Sequence, residues 1–442
     1  MPPSDFAAVS PHAPTVTGIY AGHRPASSVT SSRGRILLLT TDTGSGHRSI
    51  ASAIAKDFLR RPLPETDVVL INPFVPAYFN GLLREILDLY GPVIRNVPSL
   101  YGAFWRFLLS SRRFAYAMRF ANSLVRSTFR DLIADPANRA IITTHAILPA
   151  LVASTIRSDQ DCVTVSVATD LQIAEPGYRW PGMTRYAAMT QEVANDLLRQ
   201  GVSPERVVVA GHIIDRQAID RAVRRRRETR QRLGLDDAQR LILLAGGREG
   251  AGHIRGIVDG LLAREVDAVL MVVCGTNLRL LRLLQSSPQY RSVKAVGWSS
   301  DFLDLLAAAD LLVTKAGAVT IMEALAAGTK FVVTGYIGGQ ETGNVHYVKK
   351  HGLGVVADTV DEAVEAILTT LPEVDGHDAR VPEAVASGSL SMSLLHSPSI
   401  GGADTSVPLS GGRTLSTTGN HTADVAPALS KILLPELYGR ED

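Results

Sequence analysis

Cysteine is nearly absent from this 442-residue sequence. Only Cys162 and Cys274 are present, each inside an apolar run. No disulfide framework is therefore expected, and both read as buried free thiols in a reducing compartment. Long apolar runs are missing too: no stretch holds 18 uncharged apolar residues in succession, so no spanning helix is read. Residues 1–33 lack the basic start and apolar core of a signal peptide; rich in Ser, Pro and Ala, they read as a disordered leader. Charge of one sign is not in excess either. Lys and Arg number 45 against 43 Asp and Glu, a net +2 that gives no global case for a nucleic-acid partner. The first glycine loop, TDTGSGH at 41–47, has no lysine of the G-x-x-x-x-G-K-[ST] kind and does not fit G-x-G-x-x-G. ATPase and dehydrogenase readings fail there.

What is present is alternation. Hydrophobic residues make up 45% and charged ones 20%, a globular balance, and the length suits two domains plus tails. Apolar runs at 36–40, 140–144 and 162–169 read as buried strands, each ending in a polar position: the loop to His47, then His145, then Asp170. Open α/β sheets bind ligands at such carboxyl ends. An imidazole at a helix start there can take a proton from an attacking hydroxyl or simply cap the helix. Asp170 orients His47 or competes with it as base; the sequence does not decide between them.

The stretch 313–354 carries most of the chemistry. An apolar strand runs into Thr314-Lys315-Ala316-Gly317, and a helical pattern follows from about 319 to 327. The backbone N–H groups of 317–320 would face an anion with the helix dipole behind them, and Thr320 adds a hydroxyl. Glu323 lies one turn further along the same face. A second strand at 330–334 leads to a loop with Gln340, Glu341 and Asn344, side chains suited to sugar hydroxyls. Phosphate site, acceptor and polar loop together describe a pocket for a nucleotide sugar.

Residues 74–133 hold 12 of the 25 aromatic residues and eight arginines against three acids. Aromatics mixed with arginines suit helices lying in a membrane interface, although some must fill the core. A run of arginines at 224–232 reads as a solvated face, or as a contact for anionic lipid. Residues 375–425 are rich in Ser, Gly, Thr and Asp without apolar period, and a short apolar segment follows at 427–438. The expected division is a leader at 1–33, a first domain at 34–211, a hinge at 212–235, a second domain at 236–370, a disordered segment at 371–425 and a last helix at 426–442.

The donor stretch resembles the donor-binding half of glycosyltransferase family 28, in the branch of monogalactosyldiacylglycerol synthases and diacylglycerol glucosyltransferases. The peptidoglycan enzyme MurG is a more distant likeness. Further motifs carry the resemblance through roughly 35–370. TGSGHR is similar to the family's T-G-G-G-H-R, with Ser45 where a glycine usually stands, and Thr169-Asp170-Leu171 with Trp180 is similar to its T-D-[LY] motif. LYGAFWRF resembles its tyrosine- and tryptophan-bearing acceptor segment, GGREGAGHI its G-G-G-E-G-M-G-P-I loop, and VKAVGWSSDFLDLLAAAD its uracil-holding run. After the glycine at 211 the family usually has a proline, where this chain has His212-Ile213-Ile214.

The resemblance implies a GT-B fold: two facing, doubly wound Rossmann-like α/β domains with the active site in the cleft. It implies inverting transfer of a hexose from UDP-galactose or UDP-glucose to the free hydroxyl of 1,2-diacylglycerol, with no metal or other cofactor. His47 would be the base. Gly246 and Gly247 would face the diphosphate with Lys315, Gly317 and Thr320; Gly297 and Trp298 would hold the uracil, Glu323 the ribose, and Gln340, Glu341 and Asn344 the sugar. A cytoplasmic protein bound to the inner face of an anionic membrane follows. Transfer to another lipid-linked acceptor, or nucleotide-sugar binding without turnover, are the other readings.

Overall fold

Runs of Leu, Ile and Val without polar alternation suit strands covered on both faces, and such runs build two parallel sheets here. In the first, β1 (Gly34–Leu39), β2 (Thr66–Ile71), β3 (Asn138–Thr143), β4 (Val163–Ala168), β5 (Arg185–Ala188) and β6 (Val207–Val209) lie in the order β2-β1-β3-β4-β5-β6. The second holds β7 (Leu241–Ala245), β8 (Val269–Val273), β9 (Lys294–Val296), β10 (Leu311–Thr314), β11 (Lys330–Val333) and β12 (Val355–Val356) in the order β12-β11-β10-β7-β8-β9. This computed structural model describes residues 34–41, 45–60, 66–74, 78, 122–123, 125–157, 160–250, 253–336 and 341–371. The leader, the tail beyond 371, most of the aromatic stretch at 74–133 with LYGAFWRF, and Gln340 lie outside the described residues.

Both sheets are doubly wound, so the strand order reverses once in each: between β1 and β3, and between β7 and β10. Leu39 pairs with Thr143 at the first reversal and Ala245 with Thr314 at the second. Helices cover the faces. α1 (Gly46–Leu59) buries Ile50, Ile54 and Phe58, an i, i+4, i+8 stripe. α2 (Ser127–Ala134), α3 (Leu148–Ala153) and α4 (Gln191–Arg199) complete the described part of the first domain. Of the aromatic stretch, Phe129 is wholly buried, with Phe74 and Tyr78 packed against the same cluster, so these three belong to the core.

α5 (Arg216–Arg224) and α6 (Arg226–Arg232) join the domains. Asp215 caps α5 by accepting from the Ala218 N–H at 3.1 Å and pairs with Lys56 of α1 at 2.7 Å. Ile219 enters an apolar cluster that continues from Ile36 and Leu38 of the first sheet to Leu241 and Leu243 of the second. The second domain adds α7 (Ile254–Ala263), α8 (Leu278–Ser286), α9 (Phe302–Ala308), α10 (Ala318–Ala327), α11 (Thr342–His351) and α12 (Val360–Thr370).

The arginine run is not uniformly solvated. Arg230 is 2% exposed and donates to the carbonyls of Ala308 at 2.9 Å and Asp236 at 3.0 Å and to the Asp310 carboxylate at 3.2 Å. Arg226 donates to the Ala309 carbonyl at 2.8 Å and pairs with Asp310. These two satisfy the open carbonyl end of α9, as cations at a helix C-terminus do, and neither is available to lipid. Arg226→Ala is expected to lower stability by about 1–3 kcal/mol, because buried Asp310 loses a charged partner. An unchanged urea midpoint would assign the work to Arg230 alone.

Candidate active site

Both reversals of strand order open toward the same cleft, and the residues after their strands line it. At the first, the backbone leaves β1 through Thr40 and Thr41 and enters α1, whose second residue is His47. Thr144, after β3, ties this turn down. Its N–H donates to the Leu39 carbonyl at 3.1 Å, and its hydroxyl donates to the His47 carbonyl at 3.1 Å. The carbonyl of Thr144 lies 2.7 Å from His47 Nδ1. A carbonyl only accepts, so Nδ1 carries the proton and Nε2 keeps its lone pair. The Thr169 hydroxyl stands 3.3 Å from the same nitrogen and 2.6 Å from the Tyr178 hydroxyl.

Burial drives the His47 pKa down to about 4, with Lys315 adding to the fall and the Thr144 hydrogen bond opposing it. His145 stacks edgewise on it with ring centroids 4.6 Å apart, and burial followed by the neighbouring His47 holds its pKa well below the usual range. Its Nδ1 accepts from the Ile147 N–H at 3.3 Å. Two neutral imidazoles therefore share the end of the first sheet. Asp170 does not supply the orienting bond to His47; the Thr144 carbonyl does. The Asp170 carboxyl is pushed well above the usual range by burial and by Glu175 and Glu341, against a hydrogen bond from Asn344.

At the second reversal, Gly246 and Gly247 follow β7, and Lys315, Ala316 and Gly317 follow β10. Gly247 has φ +72°, and a Cβ there would meet Lys315 Cε at 2.7 Å, so glycine lets the lysine lie across the loop. Lys315 Nζ is ion-paired with Glu341, whose side chain is 8% exposed. Gly317 caps α10, and the first bond of that helix runs from the Ile321 N–H to the Gly317 carbonyl at 3.1 Å. The N–H groups of Ala318, Val319 and Thr320 thus precede the helical ladder. A Cβ on Gly46 would touch Val319 Cγ2 at 3.5 Å, so the N-termini of α1 and α10 meet across the cleft. Positive dipole ends, Lys315 and a neutral imidazole converge there.

Glu323, one turn into α10, is 8% exposed and accepts from the Ser49 hydroxyl of α1 at 3.4 Å. Burial raises its pKa to about 7, opposed by the Ser49 hydrogen bond and helped by Asp215. Gly297 and Trp298 follow β9, and Trp298 is 56% exposed. Asn344 is 2% exposed, with both ends of its carboxamide bonded to protein: Oδ1 accepts from the Leu171 N–H at 2.9 Å and Nδ2 donates to the Ala316 carbonyl at 3.1 Å. Among the described residues no group of three or more acids, histidines or cysteines could hold a metal ion, and no helix is long and apolar enough to cross a membrane. One Asp-x-Asp sequence, Asp159-Gln160-Asp161, does occur, but Asp161 precedes β4 at the strand's amino end, opposite the cleft.

Sequence reasoning missed Ser49, Thr144 and Thr169 as site residues and left His145 outside the set. The signal was available: Thr144-His145 and Thr169-Asp170 occupy corresponding positions after neighbouring strands.

The family described as Monogalactosyldiacylglycerol (MGDG) synthase matches residues 47–214, and the glycosyltransferase family 28 C-terminal domain matches residues 241–392. A probable monogalactosyldiacylglycerol synthase 2 of Oryza sativa subsp. japonica is 31% identical over 360 residues, covering 78% of this chain and 75% of its own. The monogalactosyldiacylglycerol synthase of Spinacia oleracea is 30% identical, covering 75% of this chain and 65% of its own. Among solved structures, the glycotransferase of kitacinnamycin superposes with a TM-score of 0.50 over 80% of this chain and 94% of its own, at 13% identity. That likeness concerns the GT-B fold alone.

Proposed function

The chain belongs to the monogalactosyldiacylglycerol synthase family of UDP-sugar-dependent glycosyltransferases, and from that premise we propose that it moves a hexose from UDP-galactose or UDP-glucose to the free hydroxyl of 1,2-diacylglycerol with inversion. One observation supports this above others: a neutral imidazole, its Nδ1 proton engaged by the Thr144 carbonyl, stands beside the converging N-termini of α1 and α10. In the reaction, His47 Nε2 takes the proton of the acceptor hydroxyl as that oxygen bonds to the anomeric carbon. The bond from that carbon to the diphosphate breaks, and its electron pair leaves with the phosphate oxygen. The negative charge then falls on the N–H groups of Ala318, Val319 and Thr320, since the Gly317 N–H is already given to the Lys315 carbonyl at 2.8 Å, and on Lys315 and the Gly246-Gly247 loop, fixed dipoles and charge that need no reorganisation.

By likeness to the family, Glu323 takes the ribose hydroxyls, the backbone at Gly297 and Trp298 takes the uracil, and Gln340 and Glu341 take the sugar. A diacylglycerol hydroxyl lies at a bilayer surface. The first domain therefore has to work at that surface, and we assign the contact to its basic aromatic stretch, including Trp105 and Phe107. One assay tests donor, acceptor and surface together. The protein is mixed with anionic vesicles containing diacylglycerol and labelled UDP-galactose or UDP-glucose. A monohexosyl diacylglycerol should form from one donor in preference, and the protein should sediment with the vesicles, less so in high salt. Product only on a lipid-linked peptidoglycan precursor would overturn the acceptor. Indifference to vesicles would overturn the membrane contact.

A further inference from the structure

The carboxamide of Asn344 joins two backbone segments that are each held rigidly on their own side of the cleft. On the first-domain side, the Leu171 N–H donates to it, while the Leu171 carbonyl accepts from the Thr190 hydroxyl at 2.7 Å. Thr190 in turn caps α4 by accepting from the Val193 N–H at 3.1 Å. On the second-domain side, the Ala316 carbonyl accepts from the amide, while the Ala316 N–H donates to the Gly335 carbonyl at 3.0 Å. Leu171 and Ala316 are fully buried. Around this point α11 presses close: a Cβ on Gly343 would meet Gln172 Cβ at 3.3 Å and Ile173 Cγ1 at 3.6 Å.

Each bridged segment leads directly to a working part of the site. Two residues before Leu171, the Thr169 hydroxyl stands 3.3 Å from His47 Nδ1. One residue after Ala316, Gly317 opens α10. We infer that Asn344 is a positioning residue for transfer, a latch that fixes the His47 imidazole relative to the N-terminus of α10 by fastening Leu171 to Ala316. The kinetic part of this inference rests on the transfer reading; the latch itself does not.

An amide is suited to the task because it offers one acceptor and two donors on a short stem. Aspartate would keep the acceptor for Leu171, lose the donor to Ala316, and set a second carboxylate near Asp170. Asn344 is 2% exposed with each end of its amide bonded to backbone, so we assign it this positioning role rather than the sugar contact that the family resemblance gives it.

The test compares the intact protein with Asn344→Ala and Asn344→Asp. Hydrogen exchange of the peptide covering Leu171, measured without substrate, should quicken about tenfold or more in Asn344→Ala, since that N–H loses its buried acceptor. Turnover should fall about 10- to 100-fold, the scale of an ångström of misplacement at reacting groups. Affinities for UDP and for UDP-hexose should change by the same factor. A loss confined to UDP-hexose would restore the sugar contact and overturn the latch, as would unchanged exchange at Leu171. Faster exchange with wild-type turnover would leave a bridge that positions nothing and would also overturn the proposal. Asn344→Asp supplies an independent arm. Its activity relative to wild type should rise as pH is lowered from 8 to 6, because a protonated carboxyl can donate to the Ala316 carbonyl; a flat ratio counts against the latch. If no acceptor supports transfer by the wild-type protein, the transfer reading fails, while the exchange and UDP arms still decide the bridge.

Discussion

His47→Ala should lower turnover by about two to four orders of magnitude, the usual share of a general base, with affinity for UDP little changed. The asymmetry follows from position. The imidazole is held by Thr144 of the first domain, whereas the proposed diphosphate cradle at Gly247 and Gly317 belongs to the second. Removing the ring takes away the proton acceptor and leaves the anion site standing. The pH profile gives a sharper signature. A base with a free-enzyme pKa of about 4 is already neutral at pH 5, so His47 should add no limb to kcat/KM from pH 8 down to about 5, and a limb near 7 belongs to Glu323. An ordinary histidine would halve the rate near pH 6.5. A limb near 6.5 that persists in Glu323→Gln, or turnover by His47→Ala close to wild type, would remove His47 from the reaction.

The same burial affects stability, with opposite signs at two positions. Between pH 6.5 and about 4 the unfolded chain takes up a proton at His47 that the folded protein does not, so this residue costs stability as pH falls through that window. Glu323 runs the other way. Its folded carboxyl keeps a proton up to about 7 where the unfolded one has released it near 4.5, so stability is lost as pH rises through that range. Neither group is at ease in its buried place, and both lie where the domains meet.

Much of the fold was legible because buried parallel strands write themselves as unbroken apolar runs. The strands at β1, β3, β4, β7, β8, β10 and β11 all do so. β2, with a polar Thr66-Asp67 start, was not anticipated, and β9 and β12 are only three and two residues long, too short for any period to show. The site was legible in part because polar residues after such runs fall at carboxyl ends by construction. What could not be read were contacts between distant segments. Asn344 meets a backbone N–H 173 residues away, and Arg230 meets a carboxylate 80 residues away. In sequence, the first looks like a free sugar ligand and the second like one more solvated arginine. Asp170 and His47 are similar: both follow strand ends, yet neighbouring strands place Thr144 and Thr169, not the carboxylate, against the imidazole.

Lys315→Ala should lower turnover about 10²- to 10³-fold, as loss of one preorganised charge at a developing anion does. The reasoning begins with what the lysine faces. Its stem lies over Gly247 and its ammonium meets Glu341, so one cation borders both the glycine loop and the polar loop after β11. When the diphosphate leaves, the ammonium is a full positive charge that the second domain holds beside the glycine loop, two residues before the α10 N-cap. Lys315→Ala also leaves the buried Glu341 carboxylate without that partner beside Asp170, so part of the loss should appear as weaker UDP binding. A second readout separates electrostatics from misfolding. Because Lys315 helps to hold the His47 pKa down, its removal should move the acid limb of kcat/KM upward from about 4. Full turnover in Lys315→Ala would take the lysine out of leaving-group stabilisation. Lost turnover with the acid limb unmoved would mean that its charge does not reach the imidazole, and that the two sides of the cleft work independently.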